Sequence, residues 1–198
     1  MLEVQMSLQK QARALNEKQL KNALARTSQY RNGLRNRCII ELTCFAGLRA
    51  KEVTGLRWEH VLDNDGKVGL DIRLTNDIAK GTSGGVIPVN ATLRQTLIEL
   101  YGPGKNSKAS IIQSEQGKGM KVQSIINLLW NHYKLCDIEG ASSHSGRRTF
   151  ITNAARKISL VSGSLRDVQN LARHKNLQST QRYIEQNSEA QRKVIDLL

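Results

Sequence analysis

The sequence predicts an α+β domain, mainly α-helical, with one small three-stranded antiparallel sheet in its first half. Three observations lead there. Only two prolines occur in 198 residues, and proline is the residue that most disrupts a helix interior. Apolar residues recur at helical spacing over most of the chain. One stretch, "RWEHVLDNDGKVGLDIRL", switches instead to alternation around a turn at Asn64–Gly66, the pattern of a hairpin.

Residues 1–29 are polar, rich in Gln and Lys, and free of Gly and Pro; they read as an N-terminal helical arm or linker with little core of its own. From Asn32 to Leu48 the apolar set Leu34, Cys38, Ile39, Leu42, Phe45 and Ala46 follows a helical period. Gly47 interrupts that helix, and a short second one follows through "RAKEVTGL". After the expected hairpin, "AKGTSGGVIPVN" supplies a Gly/Ser turn and a third strand. Asn90 suits the N-cap of "ATLRQTLIELY", because its side-chain oxygen can take a free N–H of the first turn. Residues 102–108 read as a loop. Helices resume at "VQSIINLLWNHYKLC", at about 146–158, at 164–173 and around Tyr183. The end, "SEAQRKVIDLL", reads as a tail helix capped by Ser188, with an apolar end made by Val194, Ile195, Leu197 and Leu198. The expected organisation is an arm over 1–29 and one domain over 30–198, with its tail from about residue 186.

Thirty Lys and Arg against seventeen Asp and Glu give a net charge of +13. Such a surface attracts polyanions, of which nucleic acid is the commonest in a cell. Aromatics are only 4% of the residues, too few for the stacking platforms of a single-strand binder, so duplex is the expected partner. Cys38, Cys44 and Cys136 are odd in number and form no CxxC pair, which points to reduced thiols rather than a disulfide frame or a zinc site. No apolar run has the length of a membrane span, and "MLEVQMSLQKQAR" lacks the apolar segment of a secretory signal. A cytoplasmic location without membrane contact is therefore expected.

Four pieces of sequence carry chemistry. His174 stands nine residues before Tyr183; one unbroken helix would put them on opposite faces. "KNLQST" offers a break, with Asn176 ending one helix and Ser179 or Thr180 capping the next. In "SSHSGRRTF", His144 and Arg147 are three apart, on one face of a helix start that Ser142 or Ser143 can cap. A helix N-terminus joined by an Arg fork and an imidazole makes a phosphate cradle. In "FAGLRAKEV", Arg49 lies at a helix junction with Glu52 three residues on, able to orient it. Lys80 lies beside glycines in "AKGTSGGVIPV" and could reach a partner. Taken singly, each has a bland reading: a core His and a surface Tyr, a solvated basic helix start, a helix-end salt bridge, a surface lysine.

In order, Arg49 in a "GLR-x-x-E" context, Lys80 on a hairpin, His144-x-x-Arg147, and His174 nine residues before Tyr183 resemble the tyrosine recombinase (phage integrase) family. The resemblance covers about residues 30–190. Two neighbours depart from its pattern: Gly146 stands where a bulky apolar residue is more usual, and Arg173 where a Gly often precedes the His. A separate N-terminal DNA-clamping domain, usual in the family, does not fit in residues 1–29, so a catalytic fragment or a naturally short member is expected.

The resemblance implies the catalytic-domain fold of that family and a bacterial or phage-encoded, site-specific recombinase or integrase. Such an enzyme cleaves and rejoins duplex DNA through a 3′-phosphotyrosyl intermediate. Arg49 and Arg147 would neutralise the two non-bridging oxygens, His174 would donate to the same phosphate, and Tyr183 would be the nucleophile. His144 would accept or share the tyrosine proton, Lys80 would protonate the leaving 5′ oxygen, and Glu52 would hold Arg49 in place. No cofactor and no metal is expected, since the arginines supply the charge. Implied partners are further copies of the chain, four in the active synapse, and accessory DNA-bending proteins. Two alternatives stay open: a type IB topoisomerase-like nicking and closing enzyme, and a non-catalytic DNA-binding regulator of the same fold.

Overall fold

The computed structural model describes residues 12–79, 83–102, 105–183 and 195–196. The first eleven residues, Lys80, and the expected tail apart from Ile195 and Asp196 lie outside the described residues. The chain divides into two compact units, Met1–Phe150 and Ile151–Leu198. Its α-helices in chain order are α1 Glu17–Arg26, α2 Gly33–Phe45, α3 Ala50–Gly55, α4 Ala91–Tyr101, α5 Val122–Leu135, α6 Ser145–Lys157, α7 Leu165–Ala172 and α8 Leu177–Gln181; the strands are β1 Asp71–Leu74 and β2 Gly85–Pro88. The mainly helical α+β class expected from the sequence is the one observed.

In the first unit α2 is the central element. Every residue from Cys38 to Cys44 is buried, because α2 packs on α4 and is flanked by α3 and the turn after α1. The core is aliphatic: Trp58 and Tyr133 apart, its largest fully buried side chains are Ile and Leu, each worth about 1.5–3 kcal/mol when removed from water. All three cysteines are free and buried in it. The N-terminal region contributes more than expected. Asn16 caps α1 by accepting from the Gln19 N–H at 2.8 Å, and Leu15, Leu20 and Ala23 join the core. Asn90 caps α4, accepting from Leu93 N–H at 2.9 Å.

The expected three-stranded sheet is corrected to two strands. β1 pairs antiparallel with β2, Ile72 opposite Ile87, and the expected first strand is instead a 3₁₀ turn over Trp58–His60. Local bonds take its backbone: Arg57 N–H donates to His60 Nδ1 at 2.9 Å and Val61 N–H to the Trp58 carbonyl. Trp58 and Glu59 N–H reach the carbonyls of Ala109 and Ser107. Only a single bridge, Leu62 to Val68, remains of the hairpin. Its turn is present, with Asp63 Oδ1 accepting from the Asp65 and Lys67 N–H groups.

The second unit holds the rest of α6, a 3₁₀ turn at Ile158–Val161, α7 and α8. Ser164 opens α7 with both its N–H and its hydroxyl on Asp167 Oδ2, at 2.8 Å each. Helix α7 packs on α8, burying Val168, Ala172 and Thr180.

Candidate active site

In the first unit the site starts where α2 ends. Gly47 takes φ +64°, the left-handed conformation that closes many helices and that glycine adopts without a Cβ penalty. Leu48 N–H then returns to the Leu42 carbonyl at 3.1 Å. This turn sets Arg49 at the threshold of α3. Glu52, 1% exposed, receives it twice: Oε2 accepts from the Arg49 N–H and Oε1 from its Nη1, both at 2.8 Å. The carboxylate thus fixes main chain and guanidinium together, as expected for an orienting acid. The Arg49 side chain stays 26% exposed, so its fork is held without being sealed off.

Helix α6 supplies the second arginine. Ser142 and Ser145 bracket its start: Ser142 N–H donates to Ser145 Oγ, and Ser145 N–H to the Ser142 carbonyl, both at 2.9 Å. His144 precedes the helix, exposed to solvent, with its carbonyl taking the Arg148 N–H. Arg147 is 5% exposed, and its Nη1 donates to the Gly47 carbonyl at 2.6 Å. Gly146 explains its own departure from the family pattern. A Cβ there would lie 2.2 Å from Thr43 Oγ1 and 3.2 Å from Cys44 Sγ, so the first turn of α6 meets α2 at a distance only glycine permits.

In the second unit the break between His174 and Tyr183 is present, with different residues at its ends than expected. Arg173, at φ +53°, closes α7 in the left-handed conformation, which accounts for the family's glycine at this place. Asn176 begins α8 rather than ending α7, its Oδ1 accepting from Ser179 N–H at 2.9 Å. Thr180 does not cap. It is buried, its hydroxyl lies 2.9 Å from His174 Nδ1, and its carbonyl takes the Tyr183 N–H. Gln169 Nε2 donates to the His174 carbonyl at 3.0 Å. The rings of His174 and Tyr183 stack with centroids 5.7 Å apart.

Three of the sequence's candidate pairs therefore have a definite arrangement: Arg49 with Glu52, His144 and Arg147 at one helix start, His174 with Tyr183. Lys80 lies outside the described residues. Among the described residues no three His, Cys, Asp or Glu side chains gather as metal ligands would, and no helix is long and apolar enough to cross a membrane. Sequence reasoning missed Gly47 as the acceptor for Arg147 and Thr180 as the partner of His174. A glycine directly before "LR" and a threonine three residues before the tyrosine were the available signals.

Comparison with known proteins identifies the family and the fold. A profile of the phage integrase family matches residues 13–190. Tyrosine recombinase XerC of Myxococcus xanthus is 30% identical over 177 residues, covering 83% of this chain and 54% of that protein. XerC of Xylella fastidiosa is 28% identical over 152 residues, covering 76% and 48%. The chain spans about half the length of the curated relatives it matches. Among solved structures, the Tn1549 transposon integrase in complex with a circular-intermediate DNA superposes with a TM-score of 0.73 at 17% identity, over 95% of this chain and 66% of that one. XerA recombinase gives 0.71 at 19%, over 93% and 62%. The matched profile runs from before α1 to beyond α8, and the chain belongs to the phage integrase family.

Proposed function

We propose that this chain is the catalytic part of a site-specific tyrosine recombinase, over residues 30–198, which cleaves and rejoins duplex DNA through a 3′-phosphotyrosyl intermediate. The observation that carries the reading is the grip on two guanidinium groups by one six-residue stretch: Glu52 holds Arg49 and the Gly47 carbonyl holds Arg147. A phosphodiester resists attack because its oxygens are negative, and fixed cations placed where charge grows lower that barrier. The names of the relatives and the DNA-bound neighbours support the same substrate.

In the proposed reaction Tyr183 Oη attacks phosphorus and the bond to the 5′ oxygen breaks. The DNA 3′ phosphate is left on the tyrosine, so the bond energy is kept for rejoining. His144 takes the tyrosine proton and Lys80 gives one to the departing 5′ oxygen. Arg49 and Arg147 face the non-bridging oxygens. Thr180 engages His174 Nδ1, so the bond to phosphate falls to Nε2. Rejoining runs the steps backward with a 5′ hydroxyl as nucleophile. The net charge of +13 supplies sequence-independent attraction to the duplex. Further copies of the chain, four in the synapse and linked by the tail from about residue 186, and accessory DNA-bending proteins complete the assembly, in the cytoplasm.

The test is a nicked suicide duplex, whose short 5′ fragment diffuses away and traps the adduct. A covalent band on a denaturing gel is expected, and its absence sinks the enzymatic reading in favour of a DNA-binding regulator. Strand exchange between two marked duplexes, beside supercoil relaxation, separates recombination from nicking and closing alone. Lys80→Ala should cleave ordinary DNA slowly and recover on a substrate with sulfur as the 5′-bridging atom, because a thiolate leaves without a proton. Recovery by a change at Lys105, Lys108, Lys118 or Lys121 instead would move the role there.

A further inference from the structure

We propose that Gly47 is a positioning residue for Arg147, required both for its main-chain carbonyl and for having no side chain. The proposal rests on the assignment of Arg147 to the scissile phosphate. Arg147 is buried, 5% exposed as a residue, and a buried guanidinium needs acceptors for its donors, since burying a charge without partners is costly. The Gly47 carbonyl provides one at 2.6 Å. That carbonyl's direction depends on a left-handed residue at φ +64°, a conformation any β-carbon disfavours.

Space imposes the second requirement. A Cβ on Gly47 would lie 2.5 Å from Phe150 Cδ1 and 2.9 Å from Cε1, closer than carbon atoms approach. Phe150 follows Arg147 by three residues on α6, so the two share a face of that helix. A side chain at 47 therefore acts on Arg147 from two directions: it turns the acceptor away, and it pushes the ring that shares a helix turn with the guanidinium. Because Arg49 and Glu52 follow within five residues, the same turn also fixes the start of the Arg49 clamp. Gly47 thus links two arginines that are far apart in sequence, through main chain and packing rather than through contact with DNA.

The experiment compares wild type, Arg147→Ala, Gly47→Ala and Gly47→Ala/Phe150→Ala on suicide duplexes. The scissile phosphate is either ordinary or a methylphosphonate, with both diastereomers tested. Methylphosphonate lacks the negative charge that Arg147 is assigned to neutralise. Gly47→Ala is expected to bind DNA within a few-fold of wild type and to cleave phosphate about 100-fold more slowly. Relative to wild type it should regain about ten-fold or more on methylphosphonate, as Arg147→Ala does. The Phe150→Ala change should restore part of the rate on phosphate. A merely structural defect would not follow the charge of the substrate.

A folded Gly47→Ala protein that cleaves phosphate like wild type overturns the proposal. So does one that is slow yet gains nothing on methylphosphonate while Arg147→Ala gains. If Arg147→Ala itself gains nothing, the assignment of Arg147 to the phosphate fails, and the role of Gly47 with it. Should Gly47→Ala lose cooperative unfolding, the double variant is read in its place. Failure of both to fold assigns Gly47 to the core and overturns the positioning role.

Discussion

The stretch from Gly47 to Glu52 and the stretch from Arg173 to Tyr183 both carry side chains of the proposed reaction, and they are built differently. In the first, the contacts are charged and buried. Glu52 is 1% exposed and bonds Arg49 twice, and Arg147 is 5% exposed against a carbonyl. Hydrogen bonds to charged groups contribute about 1.5–3 kcal/mol each, against about 1 kcal/mol for neutral ones. In the second, a threonine hydroxyl meets an imidazole and two rings stack, contacts that carry no formal charge. Its helix α8 has five residues and ends before a half-buried Tyr183. The difference matches the two tasks proposed for them. Charge stabilisation works best when the groups need no rearrangement as the reaction proceeds. A nucleophile must become an ester and be released again, so neutral contacts that can be exchanged suit it better.

The largest expected effect breaks the second stretch at its reactive atom. Tyr183→Phe should abolish the covalent adduct and leave DNA binding within a few-fold, because affinity rests on the +13 charge rather than on one hydroxyl. The ring stack on His174 can persist in Phe. A normal covalent band from this variant would remove Tyr183 from the chemistry.

Next come the charged contacts. Arg49→Ala should lower cleavage about 10²–10³-fold, the range for removing one preorganised stabiliser of developing charge. Glu52→Gln should lower it less, since an amide oxygen can still accept from one Arg49 donor while the charge that orients the guanidinium is gone. Glu52→Ala should also cost about 3 kcal/mol of stability, as breaking a buried ion pair does. Denaturant unfolding and single-turnover cleavage read the two effects separately. Equal rates for Glu52→Gln and wild type would show that Arg49 needs no orienting charge.

Thr180→Val tests the neutral side. The swap keeps the shape and removes the hydroxyl at His174 Nδ1, at a cost of about 1 kcal/mol in stability and about ten-fold in cleavage. A loss as large as that of Arg49→Ala would erase the contrast between the two stretches. No change would take Thr180 out of the site.

What the sequence disclosed follows the range of the interactions involved. The spans of α2 to α7, the Asn90 cap and the break after His174 rest on bonds within a few residues, so periodicity and cap residues reveal them. The misread strand at 57–62 fails for the opposite reason. Its alternation is real, but Trp58 and Glu59 bond to carbonyls about fifty residues away, and no local pattern announces that. The same limit hid the partner of Arg147, one hundred residues distant at Gly47. Gly146 looked like a departure until Thr43 and Cys44 showed how little room it has. Glu41, in the middle of an apolar helix, gave no sign that it is fully buried with Arg37 Nε at 2.8 Å.

The smallest expected effect lies away from both stretches and concerns acid. His132 on α5 is 4% exposed and its Nε2 lies 2.7 Å from the Ala23 carbonyl, which ties α1 to the core. Burial holds its pKa below the ordinary 6.5; the Ala23 bond opposes this, and Arg26 reinforces it. The fold therefore keeps the ring neutral at a pH where the unfolded chain already binds a proton. Stability from this group is complete above about pH 6.5 and is lost as the pH falls below it, toward the depressed folded value. His60, also lowered chiefly by burial, has the same sign. Glu41 is raised chiefly by burial, so protonation relieves it and its sign is opposite. A raw comparison of two pH values would mix these three, so the measurement is the difference between wild type and His132→Gln. Between about pH 7 and pH 5, denaturant unfolding should show wild type losing more stability than His132→Gln. Both should cleave at the same rate at neutral pH, because His132 belongs to neither stretch. Parallel losses in the two proteins would show that His132 does not titrate in this window, and a slower His132→Gln at neutral pH would tie the α1–α5 contact to the site.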